Sequence, residues 1–105
     1  MAIHKKNEFT STDQHISLVA KAMSHPARIA ILRILAEHPK FTCGEIVEYL
    51  PLAQPTVSHH LKELVDTGLI IFTTEGKKSL YEVDWKNWDE YTGQFGGLLN
   101  VMQKK

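Results

Sequence analysis

Polar side chains that can hydrogen-bond to DNA are concentrated in one short stretch, residues 54–62. Its amide, hydroxyl and imidazole groups match the donors and acceptors on base edges, and its lysine suits a phosphate oxygen. The side chains concerned are Gln54, Thr56, Ser58, His59 and Lys62. An ordinary solvated helix surface is an equally good explanation of these residues taken alone.

The elements around this stretch predict a helix that presents it. Pro55 fits the first helical position, where a missing N–H costs nothing, and Gly68 fits the left-handed position after a helix end. Between them, apolar residues recur at i, i+4, i+7 and i+8, which marks one buried face. These residues are Val57, Leu61, Leu64 and Val65. The polar residues then point outward and could lie in a major groove.

A shorter helix is predicted just before this one. Thr42-Cys43-Gly44-Glu45 matches the capping box S/T-x-x-E, so a helix should begin there and run to about Leu50. The residues between Leu50 and Pro55 form a turn. Two short helices joined by such a turn, the second with a polar outer face, are typical of a helix-turn-helix.

A β-hairpin follows directly. Residues 69–74 and 79–83 are rich in β-branched and aromatic side chains, and a Glu-Gly-Lys-Lys turn separates them. Phe41-Thr42 can add a short edge strand. A hairpin after a helix-turn-helix is the wing of a winged helix, and Lys77 and Lys78 at its tip would contact DNA phosphates.

Two helices are predicted before the helix-turn-helix. The first is capped by Thr12 or Asp13 and runs to about Met23. The second follows Pro26, covers residues 27–37 and is apolar nearly all round, so it should be the central buried helix. Its arginines either extend along the surface or approach DNA phosphates, and Arg28 is the one assigned here to phosphate.

A last helix is predicted over residues 85–102. Its apolar residues recur at steps of 3, 4, 3 and 4, which is a coiled-coil-like seam. We expect it to pack with the first helix across a twofold axis, although packing onto the same chain is the alternative. The predicted dimer interface consists of Ile16, Val19, Met23, Trp88, Tyr91, Phe95, Leu98 and Met102.

The predicted fold class is therefore mainly α with a small β-hairpin. It is a winged helix-turn-helix with about five helices and a two- to three-stranded wing. Residues 1–12 should be a flexible tail, and residues 13–102 a single DNA-binding domain whose terminal helices form the dimer interface. With 105 residues the chain can bury a modest core.

Charge and hydropathy limit the classes of function that the chain can have. The formal net charge is zero, and residues 41–80 carry five acids against three Lys or Arg. This counts against DNA binding unless the acids point away from the duplex, and it keeps a protein-binding winged helix as an alternative. No apolar run is long enough to span a membrane or resembles a signal peptide, so we expect a cytoplasmic protein without membrane contact.

Few residues could support catalysis or hold a metal. Cys43 is the single cysteine, so an intrachain disulfide is impossible. Adjacent histidines such as His59 and His60 diverge by about 100° on a helix and cannot easily converge on one substrate. The sequence has no phosphate loop, metal-ligand spacing or nucleophile elbow. We therefore predict no enzymatic activity, no catalytic residues, no cofactor and no metal site.

Together these motifs resemble the ArsR-type (arsenical-resistance repressor) regulators. The resemblance covers about residues 13–102 and is carried by Met-Ser-His-Pro-Ala-Arg at 23–28, Gln-Pro-Thr-Val-Ser-His-His-Leu at 54–61, Gly-Leu-Ile at 68–70 and the wing. It implies a homodimeric repressor on an inverted-repeat operator of double-stranded DNA, released by an effector. It also implies base reading by Gln54, Thr56, Ser58 and His59, with the lysines on phosphates.

The sensor positions depart from the better-known members. Those carry a Cys-x-Cys pair where this chain has Thr42 and Gly44, with Cys43 between them. The Cys43 thiol is either oxidisable, with its pKa lowered at a helix N-terminus, or a small buried residue. Other members bind zinc on the last helix through Asp and His, whereas this chain has acids and no His there. Metal sensing is not expected, and no effector can be assigned.

Overall fold

A computed structural model of the chain describes residues 9–103, and it has five helices and one hairpin. The predicted fold class is confirmed. The first eight residues of the predicted tail lie outside the described part. The elements in chain order are α1 Ser11–Ala22, α2 Pro26–Glu37, α3 Cys43–Val47, α4 Gln54–Asp66, β1 Ile70–Glu75, β2 Lys78–Val83 and α5 Trp85–Val101.

The core lies where α2, α3 and α4 meet the base of the hairpin. The helical repeat of apolar residues places one face of each helix inward, and the side chains there are almost fully buried. Its most buried members are Ile31, Leu35, Ile46, Val57, Leu61, Leu64 and Leu69. Burying an aliphatic side chain of this size contributes about 1.5–3 kcal/mol. The predicted apolar face of α4 is thus confirmed, with Val65 half-buried at its edge.

The start of α1 differs from the prediction. Thr10 is the N-cap, since its side chain accepts a hydrogen bond from the Asp13 backbone N–H at 3.1 Å. The helix therefore begins at Ser11, and the expectation that Thr12 or Asp13 caps it was wrong. The prediction for α2 holds, because Pro26 is its first residue and His25 precedes it with extended backbone.

The capping box of α3 is present in both directions. Thr42 accepts from the Glu45 N–H at 3.1 Å, and the Glu45 carboxylate accepts from the Thr42 N–H at 2.8 Å. The helix ends at Val47 rather than near Leu50. Beyond it the N–H groups of Tyr49 and Leu50 bond to carbonyls three residues back, so the chain tightens into turns.

The hairpin is antiparallel and in continuous register from Ile70 opposite Val83 to Glu75 opposite Lys78. Gly76 has φ 63° and the next residue has negative φ, which is the pattern of a two-residue type II′ turn. Phe41 forms an isolated bridge to Tyr81 on the outer side. The predicted third strand therefore exists as a single bridged residue.

The last helix begins at Trp85 after the cap Asp84 and is tied to the end of α4. The Asn87 side-chain amide donates to the Gly68 carbonyl at 2.9 Å, and the Tyr91 hydroxyl donates to the Thr67 carbonyl at 3.2 Å. Gly68 has φ 82°, as predicted for the residue that ends the helix. Two side chains of α5 thus satisfy carbonyls that the end of α4 leaves open.

Much of the predicted dimer seam packs against the core of its own chain. Trp88, Tyr91 and Phe95 are half-buried there, and α1 contacts α5 within the chain. Val19 is 2% exposed, so it has almost no surface to offer a partner. Because α1 turns that side chain toward the core, Val19 contributes to the fold of its own chain, and its assignment to the interface stays a prediction.

Candidate nucleic-acid interface

The exposed face of α4 is the centre of the candidate site. All five polar residues predicted to face DNA are exposed; four lie on the side of the helix away from Val57, Leu61 and Leu64, and Gln54 is the first residue of the helix. They are Gln54, Thr56, Ser58, His59 and Lys62. The helix starts at Gln54 after the N-cap Ala53, which places Pro55 second, one position later than predicted. Proline is tolerated there because first-turn N–H groups have no helical acceptor.

Lys62 forms an ion pair within α4. Its Nζ lies 3.0 Å from a carboxylate oxygen of Asp66, four residues on, and both side chains are more than half exposed. The hydrogen bond to Asp66 and the charge of that carboxylate raise the pKa of Lys62. Exposed pairs of this kind contribute little to stability. A phosphate can therefore replace Asp66 as the partner of Lys62 at small cost.

Several acids of the middle segment are occupied by local partners. The Thr42 N–H and hydroxyl hold the Glu45 carboxylate and lower its pKa, with smaller effects from the charges of Lys78 and His38. Glu75 lies 3.1 Å from Lys40, and that hydrogen bond is the main cause of the raised pKa of Lys40. Part of the negative charge near the site is thus compensated.

The wing presents its basic residues at the tip. Lys77 lies in the turn and Lys78 is the first residue of β2, and both are exposed. The two-residue turn places both lysines at the end of the hairpin. These are the positions from which cations can contact a DNA backbone beside the groove that α4 would enter.

Arg28 does not belong to this surface, which corrects its assignment as a phosphate contact. It is 8% exposed. Its Nε donates to Nδ1 of His60 at 3.0 Å, and its Nη1 donates to the Ala22 carbonyl at 3.3 Å. The guanidinium therefore serves to join the start of α2 to the inner flank of α4.

His60 is buried on the inner side of α4, whereas its neighbour His59 is exposed. Because Nδ1 of His60 accepts from Arg28, the imidazole is neutral in this arrangement. Burial, followed by the positive charges of Arg28, His25 and His59, lowers the pKa of His60, while Glu63 opposes the shift weakly. The two imidazoles thus lie on different sides of α4, in agreement with the divergence of about 100° expected for adjacent residues of a helix.

Cys43 is the first residue of α3 and packs, half-buried, against the core. Burial raises the pKa of its thiol, so the thiolate is disfavoured. This arrangement agrees with the small buried residue and not with a low-pKa thiol.

Within residues 9–103, no group of three or more His, Cys, Asp and Glu side chains could hold a metal ion. In the same part of the chain, no helix has the length and apolar character needed to cross a membrane.

Comparison with known proteins places this geometry in a family. A family model described as a helix-turn-helix domain matches residues 23–71. The arsenical resistance operon repressor of Staphylococcus xylosus is 32% identical, over 84% of this chain and 83% of the repressor. A solved structure, "predicted DNA-binding transcriptional regulator from E. coli", is 30% identical with a TM-score of 0.68, over 87% of this chain and 93% of that one. An ArsR-like regulator from Rhodococcus sp. RHA1 shares the fold, with a TM-score of 0.77 at 18% identity, covering 89% of this chain and 87% of that one. The chain thus belongs to the ArsR family of helix-turn-helix transcriptional regulators.

Proposed function

We propose that this regulator is a homodimeric repressor that binds an inverted-repeat operator and is released by an effector still to be identified. The observation that carries the proposal is the exposed polar face of α4, together with the two exposed lysines at the tip of the wing. The names of relatives, including operon repressors for arsenical and mercury resistance, support repression. They also support a role without catalysis.

The residue roles follow from reach and chemistry. Gln54 can bond in bidentate fashion to adenine, and Thr56 and Ser58 can accept from or donate to base edges. His59 adds an imidazole on the same face. Lys62, Lys77 and Lys78 would contact phosphates, which sets the position of α4 in the groove without reading sequence.

A second copy of the chain is the proposed occupant of the groove between α1 and α5. This groove has a volume of about 460 Å³, and its walls are almost entirely apolar. It continues into the exposed apolar end of α5, where Leu99 is 62% and Met102 71% exposed. Exposed apolar surface of this kind marks an interaction site. We therefore propose that the dimer seam is centred on the end of α5 and includes Leu98 and Met102.

A twofold dimer would present two α4 helices to successive major grooves, about 34 Å apart. An effector then need not touch α4. It would release the operator by favouring a dimer geometry in which the two helices no longer match that spacing.

The test is selection of bound sequences from a random duplex pool, with purified protein in reducing, metal-free buffer. We expect enrichment of an inverted repeat with half-sites about one helical turn apart, and affinity that falls steeply with salt as phosphate contacts release counterions. A matched control carries Gln54→Ala, Ser58→Ala and His59→Ala together and should bind DNA without the same sequence preference. Absence of any duplex binding at low salt would contradict the proposal and favour a protein partner.

A further inference from the structure

A second concave site lies away from the α4 face, between α2 and the start of α5. It is a cleft of about 240 Å³, closed at its base by the end of β2. Its walls are apolar except for one guanidinium. The lining residues are Met23, Ile29, Leu32, Ala36, Val83, Trp85 and Trp88, together with Arg33.

The walls of the cleft keep apolar surface in contact with solvent. Trp85 is 53% and Ile29 41% exposed, although both belong to helices with a buried face. Leu32 and Val83 form a buried floor. Aromatic side chains that stay exposed beside such a floor gain by covering an apolar ligand.

Arg33 supplies the polar group of the cleft. Its side chain is exposed, and it forms no salt bridge with any acid in residues 9–103, in contrast to Lys40 and Lys62. A guanidinium pairs with a carboxylate through two parallel hydrogen bonds. The cleft therefore combines an apolar body site with a single anion-binding group at its side.

We propose that this cleft binds a small carboxylate with an aromatic or compact aliphatic body. The body would lie between Trp85 and Trp88 over the floor of Leu32 and Val83, and the carboxylate would pair with Arg33. The volume equals that of about eight water molecules in the liquid, which fits one aromatic ring with a short side chain.

Intrinsic fluorescence can test this directly, because both tryptophans of the chain line the cleft. The experiment titrates the full chain with phenylacetate and, separately, with its neutral analogue phenylacetamide, exciting at about 295 nm. We expect a saturable change in emission for phenylacetate and at least tenfold weaker binding of the amide, since the amide cannot form the ion pair.

Two variants distinguish loss of the ion pair with the ligand from loss of the fold. Arg33→Gln should weaken phenylacetate binding at least tenfold, while Lys21→Gln, which removes an exposed charge on α1, should leave it unchanged. Circular dichroism of Arg33→Gln should match the parent, because Arg33 lies on the surface. Equal affinity for the acid and the amide, an unaffected Arg33→Gln variant, or a linear unsaturated response would each overturn the proposal.

Discussion

The buried pair of Arg28 and His60 shows most clearly how a single residue is assigned its role by the fold. From the sequence, Arg28 is an arginine in the first turn of a helix, which can equally extend to solvent or contact a phosphate. Its acceptor lies 32 residues further along the chain. No local pattern joins these positions, so the sequence could not show that this arginine turns inward while Arg33 turns outward.

Arg28→Ala should destabilise the fold by about 2–4 kcal/mol, because it leaves Nδ1 of His60 buried without a donor and removes packed side-chain atoms. Urea unfolding followed by circular dichroism measures this difference. Arg33→Ala is the matched control and should change stability by less than about 0.5 kcal/mol. Similar losses in both variants would contradict the structural role of Arg28.

Stability should fall on mild acidification because of His60. Its pKa is lowered in the folded state, so the unfolded chain binds the proton more readily. The contribution of neutral His60 is complete above the unfolded pKa of about 6.5 and is lost as pH falls through the folded pKa. Burial is the largest cause of the lowered pKa, and the charged groups that act on His60 are Arg28, His25 and His59, which lower the pKa, and Glu63, which raises it.

Urea midpoints measured from pH 7.5 down to 5 would reveal this dependence. The slope should be smaller in His60→Gln than in the parent, whereas His59→Gln should keep most of it, because burial of His60 is the largest cause of its lowered pKa and the charge of His59 a smaller one. If the pH dependence of stability disappeared in His59→Gln, the proposal that it arises from His60 would be wrong.

Base reading is tested by single substitutions on α4. Gln54→Ala or Ser58→Ala should relax preference at one or two base pairs per half-site, at a cost of about 1–3 kcal/mol. Lys77→Ala should instead weaken binding to all sequences and reduce the salt slope by about one. Measuring affinity for a panel of operator variants distinguishes the two patterns, and unchanged preference in both α4 variants would remove the base-reading assignment.

At the scale of the elements, the sequence predicted the order and type of every helix and strand. Prolines, the Thr42 capping box and the glycine after α4 are local signals whose physics does not depend on distant contacts. The start of α1 was missed because Thr10, Ser11, Thr12 and Asp13 are four adjacent residues that can all cap. The early end of α3 likewise depends on how the following turn packs.

The orientation of the last helix was harder to predict. Its seam was interpreted as an interface between chains, yet Trp88, Tyr91 and Phe95 cover the core of their own chain. An aromatic repeat indicates that one face of the helix is apolar, but it does not indicate which surface covers that face. Leu98 and Met102 continue the same repeat and remain exposed.

Gly93→Ala should stabilise the chain by about 0.5–1 kcal/mol. A Cβ at this position meets nothing within 4 Å, and alanine favours a helix over glycine by about 1 kcal/mol. Thermal unfolding followed by circular dichroism measures the gain. A lower midpoint together with weaker self-association would instead mean that a partner chain packs against the glycine.

At the scale of the whole molecule, the proposed dimer predicts that substitutions at the interface give monomers that remain folded. Leu99→Glu with Met102→Glu should give folded monomers, because both side chains are exposed in the single chain. These positions test the interface more cleanly than Trp88 and Phe95, whose loss would also open the core. Operator affinity should fall strongly, because each half-site would then be bound separately.

Sedimentation velocity over a range of protein concentrations provides the measurement. Ile71→Glu, which places the same charge on an exposed apolar position of β1, is the control for association and should remain dimeric. Persistence of the dimer in the α5 double variant would place the interface elsewhere.

The contrast between the α4 surface and the Arg28–His60 pair has a consequence for how such a protein can evolve. Residues on the exposed face can change one at a time with little effect on folding, so operator preference can drift through viable intermediates. Arg28 and His60 cannot, because losing Arg28 leaves Nδ1 of His60 buried without a donor and losing His60 leaves Nε of Arg28 buried without its acceptor, whereas an apolar pair of similar volume could replace both. Substitutions at the two positions should therefore be accepted only together, and directed evolution should recover changes there only as pairs.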